Sequence, residues 1–336
     1  MHEMKCPEEV YQIADDIRSM KIRGAGRIAR AAAKALKIAA EKYEGPADVE
    51  SFITYVDNVA KILLGTRPTA VSLPNAVMYI TSRLRRKRPV NVNEAKLLVR
   101  KTADDFINYS LTATEKIGLI GSRRILSGET ILTHCNSTAA LSVIIHAHRQ
   151  GKDIKVYATE TRPKFQGHMT AKTLLAEGID VTLIPDAAVR YVMKKIDKVI
   201  IGADTVAANG AVVNKIGTSN IALAAHEARV RVFVAAETYK FSPATVIGEL
   251  VEIEERDPRE IVDEKFLKEN PNVIVRNPAF DVTPPEYIDA IITEEGLIPP
   301  QAAYLILIEK FGWVIQDYFI SKYSLREEDE DWYQMS

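Results

Sequence analysis

The chain has 336 residues, enough for two domains or one large one. Hydrophobic residues make up 47% of it and charged residues 26%, which excludes collagen-like, low-complexity and broadly disordered proteins. Its 44 Lys and Arg residues almost balance its 45 Asp and Glu residues, so no overall field attracts nucleic acid or an acidic membrane, and we expect binding to neither. An anionic ligand would have to meet a local cluster of cations.

The two cysteines, Cys6 and Cys135, cannot form a disulfide framework, which favours a reducing compartment. The first residues lack the basic start and apolar segment of a signal peptide, and no apolar run reaches the roughly 18 residues that a membrane span needs. We therefore expect a cytoplasmic protein without a membrane span. His146 and His148 have no metal-ligand spacing with Cys135, and we expect neither a metal site nor a cofactor.

The first third of the chain predicts helices. Apolar residues recur at helical spacing over 10–43, and the alanine-rich part of this stretch, 27–43, is a strong helix former. Further helices are predicted over 47–64, 72–84 and 93–119.

From Gly121 onward, short β-rich runs alternate with helical runs, as in βαβ units with a parallel sheet. The predicted strands are 130–133, 155–158, 180–183, 198–201, 231–235 and 272–276, in a sheet of six or seven strands. The predicted helices are 137–149, 167–177, 187–194, 220–228, 285–294 and 300–311. Asn209-Gly210 predicts a tight hairpin turn. The predicted fold class is α/β, with a helical N-terminal domain (1–118) followed by a Rossmann-like parallel sheet domain (119–336).

Cys135 follows the first strand and precedes a helix whose predicted cap is Ser137. The free backbone N–H groups of a helix start would lower the pKa of the thiol and favour the thiolate. The alternative is a buried structural cysteine. A Cys/His dyad with His134 is not expected, because neighbours on a strand point to opposite faces.

Asp204 follows an apolar run that fits a central strand and ends in Gly202, where a close approach of another group is allowed. Partial burial would raise the pKa of this carboxyl and suit it to general-acid work. The alternative is a capping or ion-paired structural aspartate. Downstream, the stretch 217–220 leads into a helix N-terminus beside Lys215, which predicts a site for an anion.

A second candidate anion site precedes the alanine-rich helix, where two arginines flank Gly24, Ala25 and Gly26. Backbone N–H groups and guanidinium groups in that arrangement suit a phosphate. The cations Arg23, Arg27, Arg67, Lys215 and Lys240 would together serve two phosphate groups. The basic run 83–88 is interpreted as a solvated helix end rather than a nucleic-acid patch, because no aromatic residues are interleaved with it.

Several of these stretches resemble one known family. They are Arg-Gly-Ala-Gly-Arg at 23–27, Thr-His-Cys-Asn at 133–136, Gly-Ala-Asp at 202–204 and Asn-Lys-Ile-Gly-Thr at 214–218. The family contains the methylthioribose-1-phosphate isomerases, the archaeal ribose-1,5-bisphosphate isomerases and the regulatory alpha, beta and delta subunits of the eukaryotic translation-initiation exchange factor. Its isomerases keep the cysteine and the aspartate, as this chain does. Ser137-Thr138 and Ala-Glu-Thr-Tyr-Lys at 236–240 are similar to the bisphosphate branch.

The resemblance implies an aldose-ketose isomerase in which Cys135 and Asp204 are catalytic. It also implies a homo-oligomer, a dimer or a hexamer, that acts on a small phosphorylated sugar. Proton or hydride transfer as the mechanism, activation by AMP, methylthioribose 1-phosphate as the substrate, and a regulatory role without catalysis all stay open. The substrate-binding residues it implies, with Arg27 added from charge and spacing, are Arg23, Gly24, Ala25, Gly26, Arg27, Arg67, Ser137, Thr138, Ala139, Asn214, Lys215 and Lys240.

Overall fold

In a computed structural model, which describes residues 6–67 and 71–323, a layer of helices precedes two β-sheets. The helices are α1 Glu8–Arg18, α2 Ala25–Glu41, α3 Val49–Leu64, α4 Ser72–Lys87, α5 Val92–Ser122, α6 Thr138–Arg149, α7 Gln166–Ala176, α8 Val189–Val192, α9 Thr218–Ala228, α10 Glu264–Glu269 and α11 Ala303–Tyr323. The strands are β1 Thr130–Thr133, β2 Lys155–Thr159, β3 Asp180–Ile184, β4 Lys198–Gly202, β5 Thr205–Val206, β6 Val212–Lys215, β7 Arg231–Ala235, β8 Phe280–Thr283, β9 Ala290–Thr293 and β10 Gly296–Ile298.

The helical layer consists of α1 to α5 and follows the prediction closely. The predicted stretch 10–43 divides into α1 and α2, because Gly24 adopts a positive φ of 90° that few other residues tolerate. Six alanines of α2 are buried and let α4 and α5 pack closely against it. Asp48 begins α3 by accepting a hydrogen bond from the backbone N–H of Ser51 at 2.8 Å.

The larger sheet has seven strands in the order β10-β9-β7-β4-β1-β2-β3. The six strands from β9 to β3 pair in parallel, and β10 pairs antiparallel with β9 at one edge. The α/β fold class and the strand number are confirmed. As predicted, β4 is central, and its five residues are buried.

A smaller antiparallel sheet, β5-β6-β8, lies beyond the end of β4. The predicted turn at Asn209-Gly210 joins β5 to β6, and Gly210 has a φ of 85°. The third strand, β8, was not predicted. It pairs with β6 over four residues and so places Phe280 opposite Lys215.

Two sequence predictions are wrong. Residues 272–276 form no strand: Val273 is 47% exposed and Ile274 86%, so these apolar side chains do not pack into a sheet. The predicted helix 285–294 is instead a turn, Pro285–Tyr287, followed by β9. The four residues of β9 are all buried, and pairing with β7 decides their conformation over any local helical tendency.

Helix α5 joins the helical layer to the larger sheet. Its C-terminal half packs against α6 and β9, and it runs through residue 118, where the domain boundary was predicted. The division into 1–118 and 119–336 therefore stays a prediction, and the end of its second part, 324–336, lies outside the described residues. Within the described ranges, no helix is both long and apolar enough to cross a membrane.

Candidate active site

One cavity lies where the carboxyl ends of the central strands face the start of α2. Parallel sheets bind ligands at this edge. The cavity brings together the predicted residues Arg23, Gly24, Ala25, Gly26, Arg27, Arg67, Cys135, Ser137, Thr138, Asp204, Asn214, Lys215 and Lys240. Ala139 is placed elsewhere: it is fully buried in the core between α6 and the sheet.

Cys135 occupies the tight turn between β1 and α6, with a φ of 65°. Two threonines hold this turn: Cys135 N–H donates to Thr161 Oγ1 at 3.0 Å, and its carbonyl accepts from Thr170 Oγ1 at 2.7 Å. Burial raises the pKa of the thiol to about 11, and the nearby charge of Lys215 only partly opposes this rise. The expectation of a lowered pKa is wrong for the ligand-free site, because burial outweighs the nearby helix start.

His134 is separate from Cys135, as expected. Its ring nitrogens contact Thr159 Oγ1 at 2.5 Å and the carbonyl oxygen of Ile216 at 2.9 Å. Burial lowers the pKa of His134, so the ring is neutral at physiological pH. The residue links β1 to the loop that follows β6, and no Cys/His dyad forms.

Gly202 lets Ser137 approach the end of β4. A Cβ at Gly202 would lie 2.3 Å from Ser137 Oγ, which is too close for any side chain. Ser137 caps α6 as predicted, accepting from the backbone N–H of Ala140 at 3.3 Å. Asp204 follows at the start of the hairpin, half-buried, with its backbone N–H donating to the carbonyl of Val213 at 3.0 Å. The Cys135 and Asp204 turns therefore lie side by side.

Lys215 is buried beside the cavity. Its Nζ donates to the carbonyl of Ala279 at 2.8 Å and lies 4.7 Å from the centre of the Phe280 ring. Burial lowers the pKa of this lysine, although the nearby groups of Cys135 and Asp204 favour its charged form. The neighbouring Asn214 donates to Thr218 Oγ1 at 3.0 Å.

The two predicted anion sites differ. At the start of α9, the carboxylate of Asp281 already accepts from the N–H groups of Gly217 and Ser219, so the protein itself fills that helix end. At the start of α2, no side chain of the described residues caps the helix, and no acidic residue stands in its first turn. This end faces the cavity and has Arg23 and Arg27 beside it, which suits an external anion.

Lys240 reaches the cavity from the turn after β7. Its Nζ pairs with Glu237 Oε2 at 2.7 Å, and both side chains are buried. Burial alone would raise the pKa of Glu237, but Lys240 and a hydrogen bond from Thr114 Oγ1 hold it below its ordinary value. Glu237 is therefore an anion that holds Lys240 in place.

Comparisons with known proteins identify the family of this chain. A model of the initiation factor 2 subunit family matches residues 21–300. The chain belongs to this family. The family resemblance that the sequence motifs indicated is therefore confirmed.

Three members illustrate the range of the initiation factor 2 subunit family. Ribose 1,5-bisphosphate isomerase of Methanocaldococcus jannaschii is 55% identical over 94% of this chain and 98% of its own. Methylthioribose-1-phosphate isomerase of Acetivibrio thermocellus is 42% identical over 86% and 88%. The solved structure of Pyrococcus horikoshii OT3 translation initiation factor eIF-2B superimposes with a TM-score of 0.73, at 30% identity, over 88% of this chain and 98% of that chain.

The residues that line the cavity of this family member and that sequence reasoning missed include Lys164, Gln166, Arg256 and Phe280. Gln166 Oε1 is buried and has no hydrogen-bond partner in the part of the chain described, so an acceptor there is free for a ligand. Lys164 and Gln166 follow the second strand, where the rule on strand ends could have found them. Arg256 comes from the connection before β8 and Phe280 is the first residue of β8, and neither carried a sequence signal.

Proposed function

We propose that the chain is an isomerase that converts α-D-ribose 1,5-bisphosphate to D-ribulose 1,5-bisphosphate. One observation carries the proposal: a single cavity holds a thiol and a carboxyl, Cys135 and Asp204, among cations from both the helical layer and the sheet. The 55% identity with a ribose 1,5-bisphosphate isomerase over nearly the whole of both chains supports the choice of substrate.

The substrate explains why an acid and a base are both needed. The phosphate on C1 prevents the spontaneous ring opening of a free sugar, so the ring oxygen has to be protonated as its bond to C1 breaks. Asp204 donates that proton. Cys135, as thiolate, then removes the proton from C2 to give an enol phosphate. The Cys135 thiol returns this proton to C1 while the Asp204 carboxylate takes the proton of the C2 hydroxyl, which yields the ketose and restores both residues.

The charge state of Cys135 limits this scheme. With a pKa of about 11 in the ligand-free site, the thiol holds its proton at neutral pH and must lose it before it can act as a base. The positive charges of Lys215 and Arg256 favour the thiolate, and the negative charge of Asp204 opposes it. Asp204 lacks that charge as long as it holds the proton that it donates to the ring oxygen, so a protonated Asp204 favours ionisation of Cys135 within the substrate complex. A hydride shift from C2 to C1 remains the alternative.

The cations fit a substrate with two phosphates. The start of α2 with Arg23 and Arg27 offers one group of donors, and Lys215, Lys240 and Arg67 offer others. The alternative substrate, methylthioribose 1-phosphate, carries an apolar methylthio group in place of the second phosphate. The buried Lys240–Glu237 pair disfavours that group, because an apolar contact would cover the polar Lys240 group at the cavity without giving it a hydrogen-bond partner.

A homo-oligomer, a cytoplasmic location and activation by AMP are further parts of this proposal. A purely regulatory protein without catalysis is the second class to be tested. It is disfavoured because Cys135 and Asp204 are both present at the cavity.

The test is an assay of ribulose 1,5-bisphosphate formation, run with and without AMP on the wild type, Cys135→Ser and Asp204→Asn. Methylthioribose 1-phosphate serves as the second substrate. We expect turnover of the bisphosphate alone and its loss, by about a hundredfold or more, in both variants. Preference for methylthioribose 1-phosphate would replace the proposed substrate, and turnover of neither by folded protein would favour the regulatory class.

A further inference from the structure

The connection between β7 and β8 brings two charged side chains to the cavity region. Arg256 lines the cavity, as does Arg67 from the helical layer. Glu254 contacts both arginines but is not among the lining residues: its Oε2 accepts from Arg67 Nη2, and its Oε1 accepts from Arg256 Nε at 3.2 Å. Each carboxylate oxygen of Glu254 thus binds one guanidinium group.

The backbone that carries these side chains is fixed. Arg256 N–H donates to the carbonyl of Asn277 at 2.9 Å, and Ala279 N–H donates to the carbonyl of Glu254 at 2.8 Å. The same Ala279 accepts from Lys215 Nζ. Arg256 is therefore anchored to the strand segment that also positions Lys215, which belongs to the site already described.

The side chains of Arg256, Arg67 and Glu254 are largely buried, at 12%, 10% and 23% exposure. Surface ion pairs contribute little, but charges in such a setting are weakly screened. Two arginines facing one cavity with a single shared carboxylate leave a positive charge uncompensated. A doubly charged phosphate group meets that excess, and the guanidinium edges not turned to Glu254 can donate to it.

We propose that Arg256 is a further substrate-binding residue, which donates to a phosphate group, and that Glu254 is a positioning residue, which orients Arg256 and Arg67 together. The choice of ligand rests on the proposed function, but the anion site itself does not. The charge of Arg256 also acts on Cys135 and Lys215, lowering the pKa of both. This places Arg256 on the side of the cavity where the chemistry is proposed.

The test compares Arg256→Gln and Glu254→Gln with two matched variants from the same connection, Arg259→Gln and Glu255→Gln. Arg259 is exposed and pairs with Asp257, and Glu255 pairs with the exposed Arg276. Steady-state kinetics on ribose 1,5-bisphosphate give KM and kcat, titration calorimetry gives the affinity for inorganic pyrophosphate, and thermal melts report folding.

We expect Arg256→Gln to raise KM and weaken pyrophosphate binding by about tenfold or more, since a charge-assisted contact is lost. Glu254→Gln should raise KM by roughly three- to tenfold with kcat within about twofold, because the arginines lose their orientation while the chemistry is kept. Arg259→Gln and Glu255→Gln should match the wild type. If Arg256→Gln or Glu254→Gln instead lowers kcat together with the melting temperature, the residue has a merely structural role.

Unchanged KM and pyrophosphate affinity in Arg256→Gln, with the fold intact, would overturn the proposal. Tighter binding in Glu254→Gln would show that Glu254 competes with the ligand rather than positioning the arginines. Should the wild type bind pyrophosphate through Arg256 but convert no bisphosphate, the proposed function would fail while the anion site stands.

Discussion

At the scale of single residues, the position of Cys135 is costly to maintain. A cysteine with a φ of 65° is uncommon and strained by about 1–3 kcal/mol, and such strain persists only where the surroundings fix the backbone. The hydrogen bond that Cys135 N–H donates to Thr161 and the one that its carbonyl accepts from Thr170 fix the backbone here. The strained turn places Cys135 at the cavity, as its proposed catalytic role requires.

The reactivity of Cys135 towards iodoacetamide follows from its pKa of about 11. At pH 7 alkylation of the ligand-free protein should be about a hundredfold slower than that of an unperturbed thiol, and it should rise about tenfold per pH unit up to pH 10. Mass spectrometry of the Cys135 peptide measures the rate. A Cys6→Ala background removes the second cysteine, so that Cys135 is the thiol that remains. A rate that levels off below pH 9 would contradict the raised pKa.

The strand-end positions of Cys135, Asp204 and Lys240 were enough to predict that they lie together, because strand ends of a parallel sheet converge. The other predicted lining residues rested on glycine and charge patterns and on the family resemblance. The protonation state of Cys135 was not predictable in the same way. It depends on how deeply the turn is buried, which tertiary packing decides, whereas the neighbouring helix start is visible in the sequence. Ala139 shows the same limit, since a helix rotates adjacent residues to different faces.

At the scale of elements, Asp281 shows how β8 fixes the start of α9. Its carboxylate accepts from Gly217 N–H at 2.8 Å and from Ser219 N–H at 3.1 Å, while burial raises its pKa from 3.8 to about 6. The cap comes from another strand rather than from the preceding residue. No local signal in 217–220 could have predicted it, because β8 itself was not predicted.

The raised pKa of Asp281 sets the sign of a pH effect on stability. Because the folded state favours the protonated carboxyl, the free energy of unfolding of the wild type should fall relative to that of Asp281→Asn as pH rises from about 4 to about 6. The variant keeps one acceptor oxygen for the cap. Urea unfolding of both proteins at several pH values in this window measures the difference between their curves.

Asp48→Asn is the matched control for Asp281→Asn. Asp48 also caps a helix, but the hydrogen bond from Ser51 lowers its pKa, so the wild type should gain stability relative to this variant as pH rises through the acidic range. Parallel curves for wild type and Asp281→Asn between pH 4 and 6 would contradict the raised pKa.

At the scale of the whole molecule, the helical layer and the larger sheet meet at the turn that carries Lys240. Asn75 of α4 donates from Nδ2 to the carbonyls of Tyr239 and Phe241, both at 2.8 Å. From α5, Tyr109 Oη lies 2.6 Å from Thr238 Oγ1. The residues that line the cavity from the two layers are therefore held in register by buried polar contacts, which a sequence pattern of helices and strands does not encode.

Asn75→Ala tests this register. The substitution leaves two buried carbonyls without their donor, which should cost about 2–4 kcal/mol of unfolding free energy. Because the same carbonyls flank Lys240, we also expect KM for the bisphosphate to rise about fivefold. Asn58→Ala, at an exposed position of α3, should change stability by less than about 0.5 kcal/mol and leave KM as it is. If Asn75→Ala lowered stability but left KM unchanged, the contact would stabilise the fold without positioning Lys240.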